Sequence, residues 1–564
     1  MKLIECVPNF SEGRDKNIIK QITDVIEAVE DVTLLDVDPG KETNRTVVTF
    51  VGTPESVQEA AFQAVKKASE VIDMRNHKGA HPRMGATDVC PFVPVSEITM
   101  KDCVEISKKF AKRVGEELQI PVYLYENSAS TPERRNLAYV RQGEYEGLEK
   151  KLKNPEFKPD FGLAKFNPKT GSLVTGAREF LIAYNINLNT RNVSKVKDIA
   201  LTIREKGRRK RDENYQPVKD KDGNIVQIQG LFENVKAIGW YIPEYGQAQI
   251  SINFTNYKTS PPHIVFDKVR ELALQMGLVV TGSELVGLIP LEAMLMAGKY
   301  FLQNQGISYA VSEKELVHIA TISLGLSDIV KFNPNEKIIE YRIAKKGKLI
   351  DKTIVNFVDE LASDLPAPGG GSVAALCGSL AASLTSMVGN LTVGKRKFSS
   401  SNERIAYKKN EKIMTEMAFL AQQLKKNLLN AIDEDTTAFN KYMSAMRLPQ
   451  KSDKEKKIRK NAIQNAIENA TKVPLETMKL CYDVIKLSAQ AAENGNPNAT
   501  SDAGVSAISA FAGVKSAFLN VKINLPGIDD KNLKNKIFTE SEKILKNSKL
   551  LSEKVEKLVL KKLN

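Results

Sequence analysis

The sequence predicts a multidomain protein. Two α/β subdomains, α+β sandwich-like, fill the N-terminal half, and an all-α helical-bundle domain follows. Three observations carry this. The chain has 564 residues, several times the roughly 100–200 of an ordinary domain. Strand-like and helix-like segments alternate through the first half. After about residue 350 the texture changes. Ser372–Asn564 holds only Pro449, Pro474, Pro497 and Pro526, and Ala/Leu/Lys/Glu-rich segments such as Glu411–Leu429 and Phe538–Leu563 dominate.

Each element follows from its local pattern. Val32–Val37 and Arg45–Val51 are rich in β-branched residues and read as strands. Ser56–Val71 carries apolar residues at helical spacing behind Pro54, a favoured helix start. Asp88–Val95 is a strand, Asp102–Leu118 a helix and Pro121–Tyr125 a short strand. A second cycle begins with Phe180–Leu188, which alternates as a strand, and the helix Val193–Glu205. Val235–Tyr241 and Ala248–Phe254 read as strands and His263–Met276 as a helix; Leu278–Val280 and Glu292–Ala297 continue the pattern. Lys206–Gly223 is a charged run with an Asp-Gly turn, expected as an exposed hairpin or loop. Nucleic-acid contact is the sharper reading of that run and a solvated insertion the plainer one. Asp364–Ser372 (DLPAPGGGS) marks the entry to the helical half. The expected domains are 1–179 and 180–328 for the subdomains, 329–354 for a linker and 355–564 for the helical domain.

Composition narrows the partners. The chain is 42% hydrophobic and 27% charged, a mix that folds with large cores. Its net charge of +14 calls for an acidic partner: nucleic acid, anionic membrane or anionic small molecule. Residues 1–150 carry 20 Lys/Arg against 25 Asp/Glu, so the surplus is spread over the remaining chain instead of forming a nucleic-acid arm. The five cysteines share no CxxC and suit reduced thiols. MKLIECVPNF has no apolar signal core, so a cytoplasmic protein is expected. Val373–Gly394 runs 22 residues without a charge, long enough to span a membrane. Its Ser, Thr, Asn, Ala and Gly content predicts a buried helix closely packed through small residues instead.

Few residues can carry chemistry. Two of the four histidines share His77-Lys-Gly-Ala-His81-Pro-Arg-Met-Gly. Gly79 and Pro82 argue against a helix, and no Glu follows His77, so a zinc pair is not expected. A loop histidine beside Lys78 and Arg83 suits proton transfer next to an anion; a solvated loop histidine is the other reading. Asp36, Asp38 and Asn44-Arg45 flank a Pro-Gly turn, where they orient a partner or cap the turn. Asp160-Phe-Gly162 lacks the companions of a kinase. The stretch Gly162-Leu163-Ala164-Lys165-Phe166-Asn167-Pro168-Lys169-Thr170-Gly171 offers one aromatic ring and two lysines to a flat ligand with an anionic tail, or is an ordinary surface loop. It leads to Arg178. Gly389–Lys395 nearly matches a phosphate loop, but Arg396 stands where Ser or Thr must bind Mg²⁺ and no strand precedes it, so no nucleotide is expected. Lys395, Arg396 and Lys397 end the uncharged helix, where cations favour its C-terminus. Gly369, Gly370, Gly371 and Ser372 open it, as an anion-binding terminus or a linker and cap. In Leu428–Met446, Asp435 shares a face with Ile432, Phe439 and, more loosely, Tyr442, whereas Asp433 and Glu434 point elsewhere. A carboxyl beside that stripe has a raised pKa and serves as acid or base; one at its solvated edge does not.

Taken together and in order, these segments resemble the bifunctional formimidoyltransferase–cyclodeaminase family over nearly the whole chain. The segments that carry the resemblance are CVPNFSEG (Cys6–Gly13), LLDVD…NRTVVTFVG (Leu34–Gly52), HKGAHPRMGATDVCPFVPV (His77–Val95), PVYLYE (Pro121–Glu126), VTGAREFLIAYNINL (Val174–Leu188), AIGWY (Ala237–Tyr241), GSELVGLIP (Gly282–Pro290), PAPGGGSVAAL (Pro366–Leu376) and DEDTTAFNKYMSAMRLP (Asp433–Pro449). The charged insertion Lys206–Gly223 departs from the family's shortest forms.

The resemblance implies two reactions. The formimino group of N-formimino-L-glutamate moves to N5 of tetrahydrofolate, and 5-formiminotetrahydrofolate then cyclises to 5,10-methenyltetrahydrofolate with loss of ammonia. It places the transferase histidine on His81, the folate loop on Gly162–Gly171 and the cyclodeaminase aspartate on Asp435. Asp38 is then a candidate to orient His81 or hold a positive nitrogen. Arg45, Arg83 and Arg178 are candidates for substrate carboxylates, and Gly369–Ser372 with Lys395–Lys397 for an anion in the second domain. It implies tetrahydrofolate, polyglutamylated, as carrier, with no metal, NAD or nucleotide. As partners it implies a homo-oligomer built from dimers up to an octamer, and neither nucleic acid nor membrane. A same-fold enzyme using N-formylglutamate, and a basic nucleic-acid-binding scaffold on a degenerate enzyme fold, are the rival readings.

Overall fold

The computed structural model describes the chain apart from residues 1, 42, 80, 81, 215, 244, 344–346, 348 and 395–400, and apart from the side chains of 402, 403 and 406. The chain divides into two compact units. One comprises Met1–Ala293 with Leu324–Ile343, the other Met294–Ser323 with Ala344–Asn564.

The first unit opens with β1 (Leu3–Cys6), β2 (Asn9–Phe10), α1 (Lys16–Glu27), β3 (Val32–Gly40), β4 (Arg45–Gly52), α2 (Pro54–Val71), β5 (Thr87–Ser96), α3 (Met100–Glu117), β6 (Val122–Glu126), α4 (Leu137–Val140), α5 (Leu148–Leu152) and β7 (Leu173–Ala177). Its mixed sheet runs β3, β4, then β1 and β2 in one row, then β5, β7 and β6. Period-two alternation sorts the two faces. Ile4, Cys6, Val48, Phe50, Cys90 and Phe92 point toward α1, α2 and α3 and form the main core. Tyr123, Tyr125, Val89 and Val174 point the other way, onto α4 and α5. Caps agree with the sequence: Thr53 accepts at the start of α2 behind Pro54, and Thr99 with Asp102 closes a capping box on α3.

The second sheet is β11-β12-β8-β13, from β8 (Ile182–Leu188), β11 (Val235–Ile242), β12 (Gln247–Phe254) and β13 (Val280–Val286). Helices α6 (Val193–Ile203) and α7 (Pro262–Gln275) accompany it. The expected Leu278–Val280 strand is displaced into β13, because Gly277 takes φ +71 and turns the chain first. The charged insertion is exposed and hairpin-like, with β9 (Arg208–Arg209) paired to β10 (Gln227–Ile228).

After α8 (Leu291–Asn304), α9 (Glu313–Ser323), α10 (Pro334–Lys337), α11 (Ile339–Ile343) and α12 (Ile354–Leu361) come the long helices. They are α13 (Gly370–Thr392), α14 (Ser401–Met446), α15 (Asp453–Asn494), α16 (Thr500–Asn524) and α17 (Lys531–Leu563). The uncharged stretch lies in α13, whose buried residues are almost all Gly, Ala, Ser and Thr. Small residues let helix axes approach closely. Inside the second unit, residues 308–313 pack on the bundle: Asn390 Nδ2 donates to the Ala310 carbonyl at 2.8 Å, and Lys426 meets Glu313 at 2.8 Å. The sequence assigned this stretch to the preceding subdomain.

Candidate functional site

In the first unit the hairpin between β3 and β4 builds one edge of the site. Asn44 takes φ +47, a left-handed geometry that asparagine tolerates. Its Oδ1 accepts the Gly13 N–H at 3.0 Å and its Nδ2 donates to the Lys78 carbonyl at 3.0 Å. Its own carbonyl lies 2.8 Å from His77 Nε2. Arg83 Nε donates to His77 Nδ1 at 3.2 Å, which makes Nδ1 the acceptor and Nε2 the protonated nitrogen. Burial and the Arg83 charge hold the His77 pKa below its usual value. His77 is thus a neutral strut, and His81 lies outside the described residues.

Arg83 departs from its expected role. It is buried, and its guanidinium is engaged by Glu146 at 2.5 Å and Glu144 at 3.3 Å. Those contacts and His77 tie the segment to the α4–α5 region, which fits positioning better than gripping a substrate. Asp38 is exposed on β3, and its charge acts on Arg45.

The loop Gly162–Gly171 hinges on two glycines with φ +80 and +67. A Cβ at either would meet backbone: the Ile120 carbonyl for Gly162 and the Met84 carbonyl for Gly171. Phe166 packs on Tyr145 with ring centroids 5.6 Å apart, and Tyr145 Oη donates to the Pro168 carbonyl at 2.5 Å. Lys169 Nζ donates to the Glu70 carbonyl at 2.8 Å, while Leu163, Ala164 and Lys165 stand exposed.

A cavity of about 800 Å³ opens on the sheet face opposite α1–α3. Asn9, Val89, Pro91 and Tyr125 contribute to its lining, and Arg45, Arg135, Arg141, Arg178 and Lys236 bring five cations against Glu126 and Glu179. Arg45 and Arg178 therefore meet here, whereas Arg83 and Asp38 are not among the lining residues. Burial, with Arg141 beside it, lowers the Arg45 pKa. Glu5 lies opposite Val51 and Val93 on this same face but is 4% exposed. Burial pushes its pKa up to about 7 against the pull of Arg178. The sequence reading missed Glu5, Asp88 and Arg141. The available signal was a charge inside an apolar strand, LIEC and TDVCPFVPV, which needs a buried partner.

In the second unit the N-terminus of α13 meets α14 end on. Ser372 Oγ lies 3.0 Å from the Ile432 carbonyl and 3.2 Å from Asp435 Oδ2, and the Ser372 N–H also reaches the Asp435 carboxyl. A Cβ at Gly371 would collide with that carboxyl. The Asp435 carboxyl thus sits against Gly371 and Ser372 at the start of the helix. Desolvation raises the Asp435 pKa, and the two Ser372 hydrogen bonds pull it back part of the way. Asp433 points elsewhere, accepting the Leu349 N–H at 2.9 Å. Lys395, Arg396 and Lys397 lie outside the described residues.

Comparison with known proteins draws the boundary between the halves near residue 350 and counts residues 294–323 with the first half. Residues 3–178 match the family model described as formiminotransferase domain, N-terminal subdomain; residues 183–344 match formiminotransferase domain; residues 353–543 match formiminotransferase-cyclodeaminase. The formimidoyltransferase-cyclodeaminase of Dictyostelium discoideum is 42% identical over 98% of this chain and 98% of that protein. The glutamate formimidoyltransferase of Streptococcus pyogenes is 42% identical over 55% of this chain and 96% of its own length. The methenyltetrahydrofolate cyclohydrolase of Methylorubrum extorquens is 40% identical over 38% of this chain and 99% of its own.

Proposed function

This chain belongs to the formimidoyltransferase–cyclodeaminase family, and from that premise we propose which of its residues carry each reaction. The enzyme transfers the formimino group of N-formimino-L-glutamate to N5 of tetrahydrofolate. It then cyclises 5-formiminotetrahydrofolate to 5,10-methenyltetrahydrofolate and releases ammonia. The end-to-end likeness to a relative named for both activities carries this reading.

In transfer, N5 attacks the formimino carbon and a tetrahedral intermediate forms. His81 takes the proton from N5 and returns one to the glutamate nitrogen as the carbon–nitrogen bond breaks. A single group titrating near neutrality serves both steps. Arg45 and Arg178 hold substrate carboxylates, supported by their shared cavity. Asp38 stabilises a positive nitrogen, supported by its exposure beside Arg45. Arg83 and His77 hold the segment that carries His81, supported by their mutual hydrogen bond. Gly162–Gly171 receives the folate.

In cyclisation, N10 attacks the same carbon and the former imino nitrogen leaves as ammonia. Asp435 takes the N10 proton and delivers one to the departing nitrogen, a role supported by its raised pKa at the mouth of α13. The carrier is polyglutamylated, and Lys165 and Lys169 of the exposed loop are the candidates in the first unit to bind its tail. The protein works in the cytoplasm, in keeping with five free cysteines, four of them buried. It assembles as a homo-oligomer built from dimers. The support is the exposed apolar side of α16, where Leu519 is 68% and Ile523 77% exposed.

The test supplies formiminoglutamate and tetrahydrofolate and follows ammonia and the methenyl absorbance together. His81→Ala abolishes transfer and leaves cyclisation of supplied 5-formiminotetrahydrofolate intact. Asp435→Ala does the converse and accumulates that intermediate. Loss of both activities in one folded variant overturns the two-site assignment. Faster turnover with N-formylglutamate in the same assay overturns the donor.

A further inference from the structure

Arg141 follows α4 directly, its N–H donating to the Leu137 carbonyl at 2.9 Å, and its side chain lines the first unit's cavity. One of its terminal nitrogens pairs with Asp88 Oδ2. Asp88 is 1% exposed, and its other oxygen accepts the Met84 N–H at 3.0 Å, so both carboxylate oxygens are committed. That fixes the guanidinium in place. Its Nε, by contrast, is buried and meets no acceptor.

A bridge made only to neutralise Asp88 would be complete without Arg45. Yet Arg45 stands in the same cavity, close enough for the two positive charges to act on each other. Two guanidinia then act on one buried carboxylate, and one of them keeps a donor without an acceptor. Bringing like charges together in a partly desolvated hollow costs energy that an anionic ligand returns. Guanidinium forks recognise carboxylates in two-point fashion. None of Gly162–Gly171 lines this cavity.

We propose that Arg141, positioned by Asp88 and acting with Arg45, is a specificity-determining clamp for the carboxylates of a glutamyl group, and that this group belongs to the amidine donor. The proposal rests on the transfer reading above. The other source of the same chemistry is the glutamate tail of the folate, and the two are separable by kinetics.

The test uses the full chain with Arg141→Gln, Arg141→Lys and Asp88→Asn. Transfer is measured against each substrate in turn, and an unchanged kcat with an unchanged KM for tetrahydrofolate reports that the first unit is folded. Arg141→Gln raises KM for formiminoglutamate at least tenfold and changes KM for tetrahydrofolate less than twofold. Arg141→Lys recovers part of that loss. Asp88→Asn, which keeps the cation but loosens it, raises the same KM by a smaller factor. A rise confined to the KM for tetrahydrofolate overturns the donor assignment, and no change in either KM overturns the clamp. Wild-type protein that transfers nothing from formiminoglutamate overturns the functional reading itself, and the clamp with it.

Discussion

Glu5 carries a proton at a pH where an ordinary glutamate has lost it. Burial pushes its pKa up to about 7, well above the ordinary glutamate value of about 4.5. A carboxyl raised in this way holds its proton more tightly in the folded state. Stability is therefore full below about pH 4.5 and falls as pH rises toward 7. The difference corresponds to about 3 kcal/mol above neutrality. Glu5→Gln keeps the shape and removes the charge. Melting curves at pH 5 and pH 8 should show the variant gaining on wild type only at the higher pH; an equal gain at both would refute a titrating Glu5. The same scale shows how far residues speak for themselves in sequence. The helical period set Asp435 beside Ile432 and Phe439, the resemblance alone gave it a role, and the structure places its carboxyl against Ser372 at the mouth of α13. Arg83 was not, because its partners Glu144 and Glu146 come some sixty residues later and no local pattern announces them.

Elements were read most easily where a period ran long, and least easily where partners come from afar. The uncharged stretch gave α13, yet its crossing with α15 and α16 turns on Thr385, Ser488 and Ser506, which hydrogen-bond one another at 2.7–3.0 Å. Pro474 is the instructive case. A proline deep inside α15 removes an N–H and leaves the carbonyl four residues earlier without its helical partner. That carbonyl belongs to Ala470, and Asn524 Nδ2, at the end of α16, donates to it at 2.8 Å. The break is mended across two helices instead of kinking one. Asn524→Ala should cost about 1 kcal/mol, the net worth of such a bond. Thermal melting of the single variant and of its combination with Pro474→Ala checks this. If the bond matters for the reason given, the proline replacement cancels most of the loss.

The chain enters the second unit twice. Residues 294–323 leave the first unit, pack within the second, and the chain returns for Leu324–Ile343 before entering the second unit for good. The sequence showed a change of texture near residue 350 but no sign of this excursion, because α8 and α9 have the same amphipathic grammar as the helices before them. A protease site introduced at Asp351–Thr353 cuts the covalent path there. The two products should still co-migrate on gel filtration, held by Asn390 on Ala310, Lys426 on Glu313 and Tyr309 against Phe419, whose ring centroids lie 5.9 Å apart. Separation into two species after complete cleavage would refute that packing.

The excursion also has a cost in time. Residues 294–323 leave the ribosome more than a hundred residues ahead of the end of α14, the helix that supplies Phe419 and Lys426. At roughly 5–20 residues per second, the apolar side of that segment waits on the order of ten seconds for the surface it is to cover. The nascent chain thus passes through an interval in which the whole first unit, Leu324–Ile343 included, is already synthesised, while the thirty residues 294–323 still lack the surface they fold on.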